Sequence, residues 1–396
     1  MILIFVGLSF CAIAIYGSRL RNSLACAPQL HVIEPNLGAD PQLPTISVII
    51  PAYNEAENIC DCITAVLESS QLPATKLDVW VVDDQSTDDT LLLAQSLQEL
   101  LKDSRLHILP GQPRPADEIW VGKNWACCQG FEQAKGDFLL FIDADVRLKP
   151  QAIETAIQKA QLEGSDLFSL APAITCGCLA EWLVQPLMVN NLAVGQDFQA
   201  VNDPETDVAF AAGPFMLFRR TAYEKLGGHR AVKSQVVEDV ELARRTKAAG
   251  LRLSYLLGGE FVSVRMYRSF SALWEGWTKN LYMGARRNIK PMFDLAAAML
   301  IIYPLPWLCL AGVAYKSWLG VGNGLDLVAA GLAIVAIFFH YYLRLLSSQV
   351  SQLSLDYWWL GSVGGTIIAA MALVSVFKTE TGWGWTWRGR ALKLPI

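Results

Sequence analysis

Histidine is scarce in this chain of 396 residues: only His31, His107, His229 and His340 are present, and no two share the spacing of a metal-ligand pair or a catalytic triad. Nucleophilic catalysis built on histidine finds no support. A disulfide framework is missing as well. The nine cysteines fall as Cys60/Cys62, Cys127/Cys128 and Cys176/Cys178, with Cys11, Cys26 and Cys309 alone. Zinc sites set paired cysteines about two to four residues apart, and oxidised scaffolds use even sets. These cysteines therefore read as reduced thiols of a cytosolic compartment, mostly small buried hydrophobes. Nor is there a basic excess: 32 lysines and arginines face 37 acids, a net charge of −5, which speaks against a nucleic-acid partner. No internal repeat or low-complexity tract occurs.

Apolar residues are abundant instead. They make up 53% of the chain and lift its mean hydropathy to +0.31, too high for an ordinary soluble protein. Ile2 to Tyr16 is almost wholly apolar and is followed by Ser18-Arg19-Leu20-Arg21. A cleaved signal peptide carries its positive charge before the apolar stretch. Charge after it favours a retained anchor whose C-terminal side is cytoplasmic. The run is short, so it either spans or lies in the interface. Ala27 to Pro44 reads as a linker, with Pro28, Pro35, Pro41 and Pro44. Near the C-terminus, Leu295 to Tyr315, Leu325 to Leu343 and Tyr357 to Phe377 are each long enough to cross a bilayer. Arg344 fits a cytoplasmic turn after the second. One N-terminal and three later spans would nevertheless put Arg388, Arg390 and Lys393 outside, against the positive-inside tendency. Three resolutions stand open. Pro304 and Pro306 make the first stretch re-entrant, Gly364-Gly365 break the last into a hairpin, or the N-terminal segment does not cross.

From Thr45 to about Leu257, strand and helix patterns alternate. Ile46 to Ile50 predicts a first strand stopped by Pro51, and Glu55 to Glu68 a helix. Trp80 to Val82 predicts the second strand, Asp88 to Leu101 a helix, and Leu106 to Leu109 the third strand. Lys123 to Ala134 is helical and Phe138 to Ile142 is the fourth strand. Pro150 opens a helix to about Leu162, and Leu167 to Leu170 is the fifth strand. This rhythm implies an α/β class with a doubly wound, mostly parallel sheet. The chain thus divides into an N-terminal anchor (1–21), a linker (22–44), an α/β catalytic domain (45–260), an interfacial segment (261–294), transmembrane helices (295–377) and a basic aromatic tail (378–396).

Two strands end in acids. Val79-Trp80-Val81-Val82 runs into Asp83-Asp84, and Phe138 to Ile142 runs into Asp143-Ala144-Asp145. Open α/β sheets bind ligands at the carboxyl ends of their strands. Four carboxylates there repel unless some are protonated or a cation joins them. A hard divalent ion on Asp143 and Asp145, which share one side of extended backbone, would resolve the conflict by bridging to substrate phosphates. The pattern points to an enzyme that handles a nucleotide diphosphate.

Ile49-Ile50-Pro51-Ala52-Tyr53-Asn54-Glu55, Val82-Asp83-Asp84-Gln85-Ser86-Thr87-Asp88, Asp143-Ala144-Asp145 and Val237-Glu238-Asp239 stand in the order found in family 2 (GT-A) glycosyltransferases. The chain resembles that family from roughly Ile46 to Tyr255. The resemblance implies a nucleotide-diphospho-sugar donor and gives base recognition to Asp84, with Pro51, Tyr53 and Glu55 lining the same pocket. A carboxylate accepts from the N–H of uracil, thymine or guanine, and Tyr53 can stack on the ring. Asp143 and Asp145 would hold Mg2+ or Mn2+, a Lewis acid for the leaving diphosphate. Asp239 would be the general base that takes the acceptor hydroxyl's proton, with inversion, and Glu238 would orient it. Lys123, in Gly122-Lys123-Asn124 at a helix start, suits the diphosphate. Gly213-Pro214-Phe215-Met216 and Gly227-Gly228-His229-Arg230 resemble an acceptor-side strand and loop. Plainer readings stay open. Asp83, Asp84, Ser86 and Asp88 can cap a helix, Glu238-Asp239 can complement a helix dipole, and Lys123 can face solvent.

Processive polysaccharide synthases of the family carry Q-x-x-R-W, where this chain has Trp274-Glu275-Gly276-Trp277-Thr278-Lys279-Asn280. The departure favours transfer of a single sugar. The stretch around Met266 to Phe293 sets Trp274, Trp277, Tyr282 and Phe293 beside Arg265, Arg268, Lys279, Arg286 and Arg287, as in an interfacial helix or an amphipathic core helix. Ala116 to Lys123 and the overall layout resemble membrane glycosyltransferases of carotenoid (myxol-type 2'-O-) and hopanoid pathways. That implies a multi-pass cell-membrane protein in contact with lipid, its catalytic domain cytoplasmic. The acceptor would be lipid-soluble and hydroxylated, a myxol-type xanthophyll favoured, with a hopanoid or other lipid, or polymer synthesis, as alternatives.

Overall fold

The computed structural model describes residues 1–32 and 44–392. The expectations for Pro35, Pro41 and Lys393 lie outside these. The described chain groups into a helical unit (1–26, 174–197 and 266–392) and an α/β unit (27–173 and 198–265).

The chain opens in the helical unit with α1 (Ile2–Ala25) and passes into the α/β unit, where Leu30 N–H donates to the Leu257 carbonyl and Leu257 N–H to that of Pro28. There follow β1 (Ile46–Ala52), α2 (Ile59–Glu68), β2 (Leu77–Asp83), α3 (Thr90–Leu101), β3 (Leu106–Pro110), α4 (Gly122–Gln133) and β4 (Phe138–Phe141). Next come β5 (Val146–Leu148), α5 (Ala152–Glu163), β6 (Leu167–Ala171) and β7 (Ala173–Ile174). The chain leaves for α6 (Leu179–Gly195) and returns with α7 (Phe198–Asn202), β8 (Met216–Arg219), α8 (Arg220–Leu226), α9 (Glu238–Ala248), β9 (Leu253–Leu257) and β10 (Val262–Val264).

Seven strands form one sheet in the order β3-β2-β1-β4-β8-β6-β9. The sheet is mixed: β8 runs antiparallel to both β4 and β6, and the other pairs are parallel. β1 is central, rich in β-branched residues and buried at every position but Pro51, as a strand covered on both faces must be.

Pro51 does not stop β1. Its pairing with β4 ends at Ile49–Phe141, whereas that with β2 continues to Ala52–Asp83. Ile49 points its backbone polar groups toward β4, and Pro51, two residues on, faces the same side where no strand continues. The missing N–H is therefore not needed. Nor does Pro150 open α5. Gln151 between them is left-handed (φ 66°) and spends its N–H on the Ser69 carbonyl at 2.8 Å, so the helix begins at Ala152.

In the helical unit, α10 (Phe270–Gly284) precedes α11 (Ile289–Ile302) and α12 (Pro304–Trp318), which meet at a 40° bend. α13 (Gly324–Ser351) and α14 (Gly361–Thr381) complete it. α1, α13 and α14 are long and apolar enough to cross a membrane, and the bent pair would make a fourth span if it crosses as one. Their outward faces are apolar, with Ile4, Leu8, Leu327, Phe338 and Phe377 exposed. At the bend, Pro306 cannot supply the N–H that the Ile302 carbonyl would accept. His340 Nε2 donates to that carbonyl instead at 2.8 Å, and Ser9 Oγ to that of Ile301 at 2.6 Å.

Gly364-Gly365 do not break α14, which is continuous through them. They permit close packing: a Cβ at Gly364 would run into the Leu183 carbonyl oxygen, and one at Gly365 would meet the Tyr303 Cβ at 2.7 Å. In α10, Trp277 and Tyr282 are buried, and Trp277 Nε1 donates to Gln185 Oε1 at 2.8 Å, whereas Phe293 on α11 is exposed. Those two rings serve as core.

Candidate active site

The strand order reverses between β1 and β4, and parallel sheets open a crevice beyond the carboxyl ends of the strands at such a point. The residues singled out from sequence stand around it. Pro51 is the penultimate residue of β1, with Tyr53 and Glu55 just beyond; Asp84 follows β2; Asp143 and Asp145 follow β4. Lys123 is the second residue of α4, and Glu238 and Asp239 are the first two of α9.

The loops after β1 and β2 are laced together. Two residues past the last register pair, Ala52–Asp83, both Asn54 (φ 53°) and Gln85 (φ 59°) are left-handed. Non-glycine residues hold such backbone only where their surroundings impose it. Asn54 N–H donates to Ser86 Oγ (3.0 Å), Thr87 N–H to Asn54 Oδ1 (2.8 Å), Glu55 N–H to Thr90 Oγ1 (2.8 Å) and Ala56 N–H to Asp88 Oδ2 (3.2 Å). α2 starts only at Ile59, after this clasp. Ser86 and Asp88 thus clasp the neighbouring loop, although Asp88 Oδ1 also accepts from Thr90 N–H at the head of α3 (3.0 Å). Asp83 Oδ2 accepts from Ser86 N–H at 3.1 Å, a local turn bond. Asp84 is buried, and Arg114 Nη2 comes within 3.7 Å of its carboxylate. Nothing in the sequence signalled Arg114 as the partner of Asp84.

Lys123 gathers the acids. Its Nζ lies 2.6 Å from Asp143 Oδ1 and 2.7 Å from Glu238 Oε1, so it does not simply face solvent. Asp239 Oδ2 accepts from Gly213 N–H at 2.9 Å, and Oδ1 from Val240 N–H at 2.8 Å. A Cβ on Gly213 would stand 3.1 Å from Asp239 Oδ2, 3.2 Å from Lys123 Nζ and 3.7 Å from Asp143 Oδ2. Only glycine leaves that cradle clear. Burial, and then the neighbouring Glu238 charge, push the Asp239 carboxyl up to about 6, against the pull of Lys123. Burial works against the Lys123 ammonium too. Asp143, Glu238 and Asp239 outweigh it and hold Lys123 well above the usual lysine range.

Asn124 sets this geometry from behind. Fully buried, its Nδ2 donates to the carbonyls of Val232 (2.8 Å), Lys233 (3.3 Å) and Gln235 (2.9 Å), fixing the segment that leads into α9. His229 is buried rather than open to an acceptor. Its Nδ1 meets Tyr223 Oη at 2.8 Å, and burial, then Lys123, pull it down to about 3, so it stays neutral.

Residues 47–227 match the family described as Glycosyl transferase family 2. They form a glycosyltransferase family 2 domain. Over 243 residues the chain is 31% identical to the 4,4'-diaponeurosporenoate glycosyltransferase of Staphylococcus aureus (strain USA300). The match covers 61% of each protein, so the chain spans less than two thirds of that relative's length. A mannosyltransferase from Pyrobaculum calidifontis, solved with GDP-Man and Mn2+, shares the fold at a TM-score of 0.54 and 18% identity, over 97% of this chain and all of that one. The α/β unit is accordingly GT-A-like.

In this glycosyltransferase domain, no three histidine, cysteine, aspartate or glutamate side chains among the described residues already form a metal cage. A GT-A metal does not require one, because Mg2+ and Mn2+ are commonly held by one or two carboxylates with substrate phosphates. The Gly213 cradle, the hard oxygens of Asp143 and Asp145 beyond β4, and an Asp143 carboxylate already holding an ammonium fit such an ion.

Proposed function

We propose that this chain transfers one sugar from a nucleotide-diphospho-sugar to a hydroxyl of a lipid-soluble acceptor, with inversion, at a membrane. The observation that carries the reading is Asp239. Two backbone N–H groups orient this carboxylate, and it is raised to about 6 beside Lys123 and Asp143. A base near neutrality that is fixed in place suits removal of a hydroxyl proton as the oxygen attacks the anomeric carbon. Glu238 raises the basicity of Asp239 by its charge and shares Lys123 with Asp143. Lys123, with the N-terminal end of α4, would attract the donor diphosphate. Asp84, steadied by Arg114, with Pro51, Tyr53 and Glu55, would read the base. Asp143 and Asp145 would hold Mg2+ or Mn2+, which when bound supplies Lewis-acid stabilisation of the leaving diphosphate.

A carotenoid acceptor is supported by the staphylococcal relative's name, and a myxol-type hydroxyl is the form favoured here. That name also denotes a carboxylate. An ionised carboxylate needs no base, so the poised Asp239 favours a hydroxyl. We place the protein in the cell membrane as a multi-pass protein, catalytic unit cytoplasmic, because three long apolar helices accompany Arg19 and Arg21 near the end of α1. Membranes incubated with radiolabelled UDP-, GDP- and TDP-sugars plus a hydroxylated carotenoid extract test the reading. A single-sugar glycoside is expected. Long glycan would indicate a polymerase, and no labelled product with any donor would reject the assignment.

A further inference from the structure

Contacts inside the helical unit order its helices along one axis. α1 runs against the bent pair: a Cβ on Gly312 would lie 3.4 Å from Ile2 Cδ1, and Ser9 Oγ donates to the Ile301 carbonyl at 2.6 Å. α12 and α13 join at the end where α1 starts, with Lys316 Nζ 2.6 Å from the Asp326 carboxylate. α13 then follows α1 back, past the bend at His340, and ends at Ser351. α14 never returns to the starting end. Trp358, just before it, stacks on Phe338 (6.2 Å), and Gly365 in its second turn packs on Tyr303 at the bend. Glu380 near its close pairs at 2.6 Å with Arg287, two residues before α11. α14 therefore runs from the bend to the first turn of α11, antiparallel to it.

Charge divides along the same axis. From Leu295 to Leu343, Lys316 and Asp326 are the only Lys, Arg, Asp or Glu residues, and they pair with each other. The opposite end carries Arg19 and Arg21 of α1, Arg286 and Arg287, and Lys378 of α14. A hairpin of β11 (Thr386–Trp387) and β12 (Arg390–Ala391) adds Arg388 and Arg390. Glu275 of α10 pins that hairpin, accepting from Arg388 N–H at 3.1 Å and from Thr386 Oγ1, while Lys279 Nζ stands 3.9 Å over the Trp387 ring. Glu275 and Glu380 offset only part of this positive charge. Trp383, between α14 and the hairpin, is 73% exposed and lies edge-on to the exposed Phe377.

We infer that this cationic end is a docking surface for anionic phospholipid head groups of the cytoplasmic leaflet, with α14 re-entering that leaflet rather than crossing. Arg19 and Arg21 put the end on the cytoplasmic side. α1, the bent pair and α13 then cross, and α14 starts at bilayer depth and leaves where α11 enters. Non-helical backbone at that depth needs its polar groups satisfied. Arg344 does so ahead of α14, donating to the carbonyls of Ser354 (2.9 Å) and Asp356 (3.2 Å). This arrangement brings Arg388 and Arg390 inside and removes the conflict with the positive-inside tendency. Exposed tryptophan beside clustered cations suits the zone where acyl chains meet phosphate. The inference rests on the membrane reading proposed above.

The test uses the full chain in phosphatidylcholine proteoliposomes containing spin-labelled phosphatidylglycerol or spin-labelled phosphatidylcholine, and reads the fraction of each held at the protein. Phosphatidylglycerol should be favoured about five-fold, the gain from one cation near a head group, and the preference should collapse in about 1 M salt. Arg388→Gln with Arg390→Gln should lose most of it, whereas Lys316→Gln with Asp326→Asn, at the other end, should keep it. In spheroplasts, an impermeant maleimide should label Val321→Cys directly and Trp383→Cys only after permeabilisation. Equal retention of both lipids, a preference indifferent to Arg388 and Arg390, or direct labelling of Trp383→Cys would overturn the inference. Release of the chain by alkaline carbonate would overturn it together with the membrane reading, whereas retention with any of those results would overturn this inference alone.

Discussion

Gly213 gives its backbone N–H to Oδ2 of Asp239 at 2.9 Å, and the space where its Cβ would stand is bounded by that same oxygen and by Lys123 Nζ. Gly213→Ala must therefore push the carboxylate, the ammonium, or both. Displacements of this kind cost turnover by about a hundred-fold when a reacting group is misaligned. Steady-state kinetics should show the loss in kcat with a smaller change in donor KM. An alanine variant with normal kcat would mean that the cradle is not used.

Asp239→Asn keeps an acceptor for Gly213 N–H but removes the base. Turnover onto a hydroxyl acceptor should fall by about 10²–10⁴-fold while donor binding persists. In the unaltered protein, activity should decline as pH drops through about 6, where Asp239 takes up a proton. Stability moves oppositely. A carboxyl raised in the folded state favours folding below its unfolded value and loses that contribution as pH rises through about 6. Asp239→Asn should therefore melt higher than wild type at pH 8, and the gap should narrow toward pH 5. Full activity onto a carotenoid carboxylate in this variant would instead point to an acceptor that needs no base.

Lys123→Met leaves Asp143, Glu238 and Asp239 without the cation they share. Its melting temperature should fall most at pH 8 and less at pH 5, where Asp239 has taken up its proton. Differential scanning fluorimetry at pH 5 and pH 8 checks this. Equal melting deficits at both values would show that Lys123 is not the charge partner.

Asn124→Ala removes the buried amide that three carbonyls share; Val232 and Lys233 keep the N–H groups of Gln235 and Val121, and the Gln235 carbonyl loses its donor, with a stability cost of about 1–3 kcal/mol. Because these carbonyls lead into Glu238 and Asp239, kcat should fall while the pH limb near 6 is retained. A lost or shifted limb would mean that Asn124 tunes Asp239 rather than positions it.

Cys26, exposed at the C-terminal end of α1, reports sidedness. A membrane-impermeant maleimide should label its peptide only after the cells are permeabilised. Labelling in intact cells would reverse the proposed orientation.

The acids at the strand ends were legible in sequence because apolar runs bounded by charge report both burial and polarity. The clustering of Lys123 with Asp143 and Glu238 was not, since more than a hundred residues separate Lys123 from Glu238. Pro51 reads locally as a strand breaker, and only the absence of a β4 neighbour at its level makes it harmless. Gly364-Gly365 likewise read as a break, yet serve close packing that only the partner Leu183 reveals. The left-handed pair Asn54 and Gln85 was hidden for the same reason, as each is held by the opposite loop.

Calorimetry on the purified full chain tests the central claim most directly. Titration with UDP-, GDP- and TDP-sugars, with and without Mn2+, should give saturable, manganese-dependent binding of at least one donor, and Asp145→Ala should abolish it. Donor binding that ignores manganese, or no binding of any activated sugar, would contradict the account.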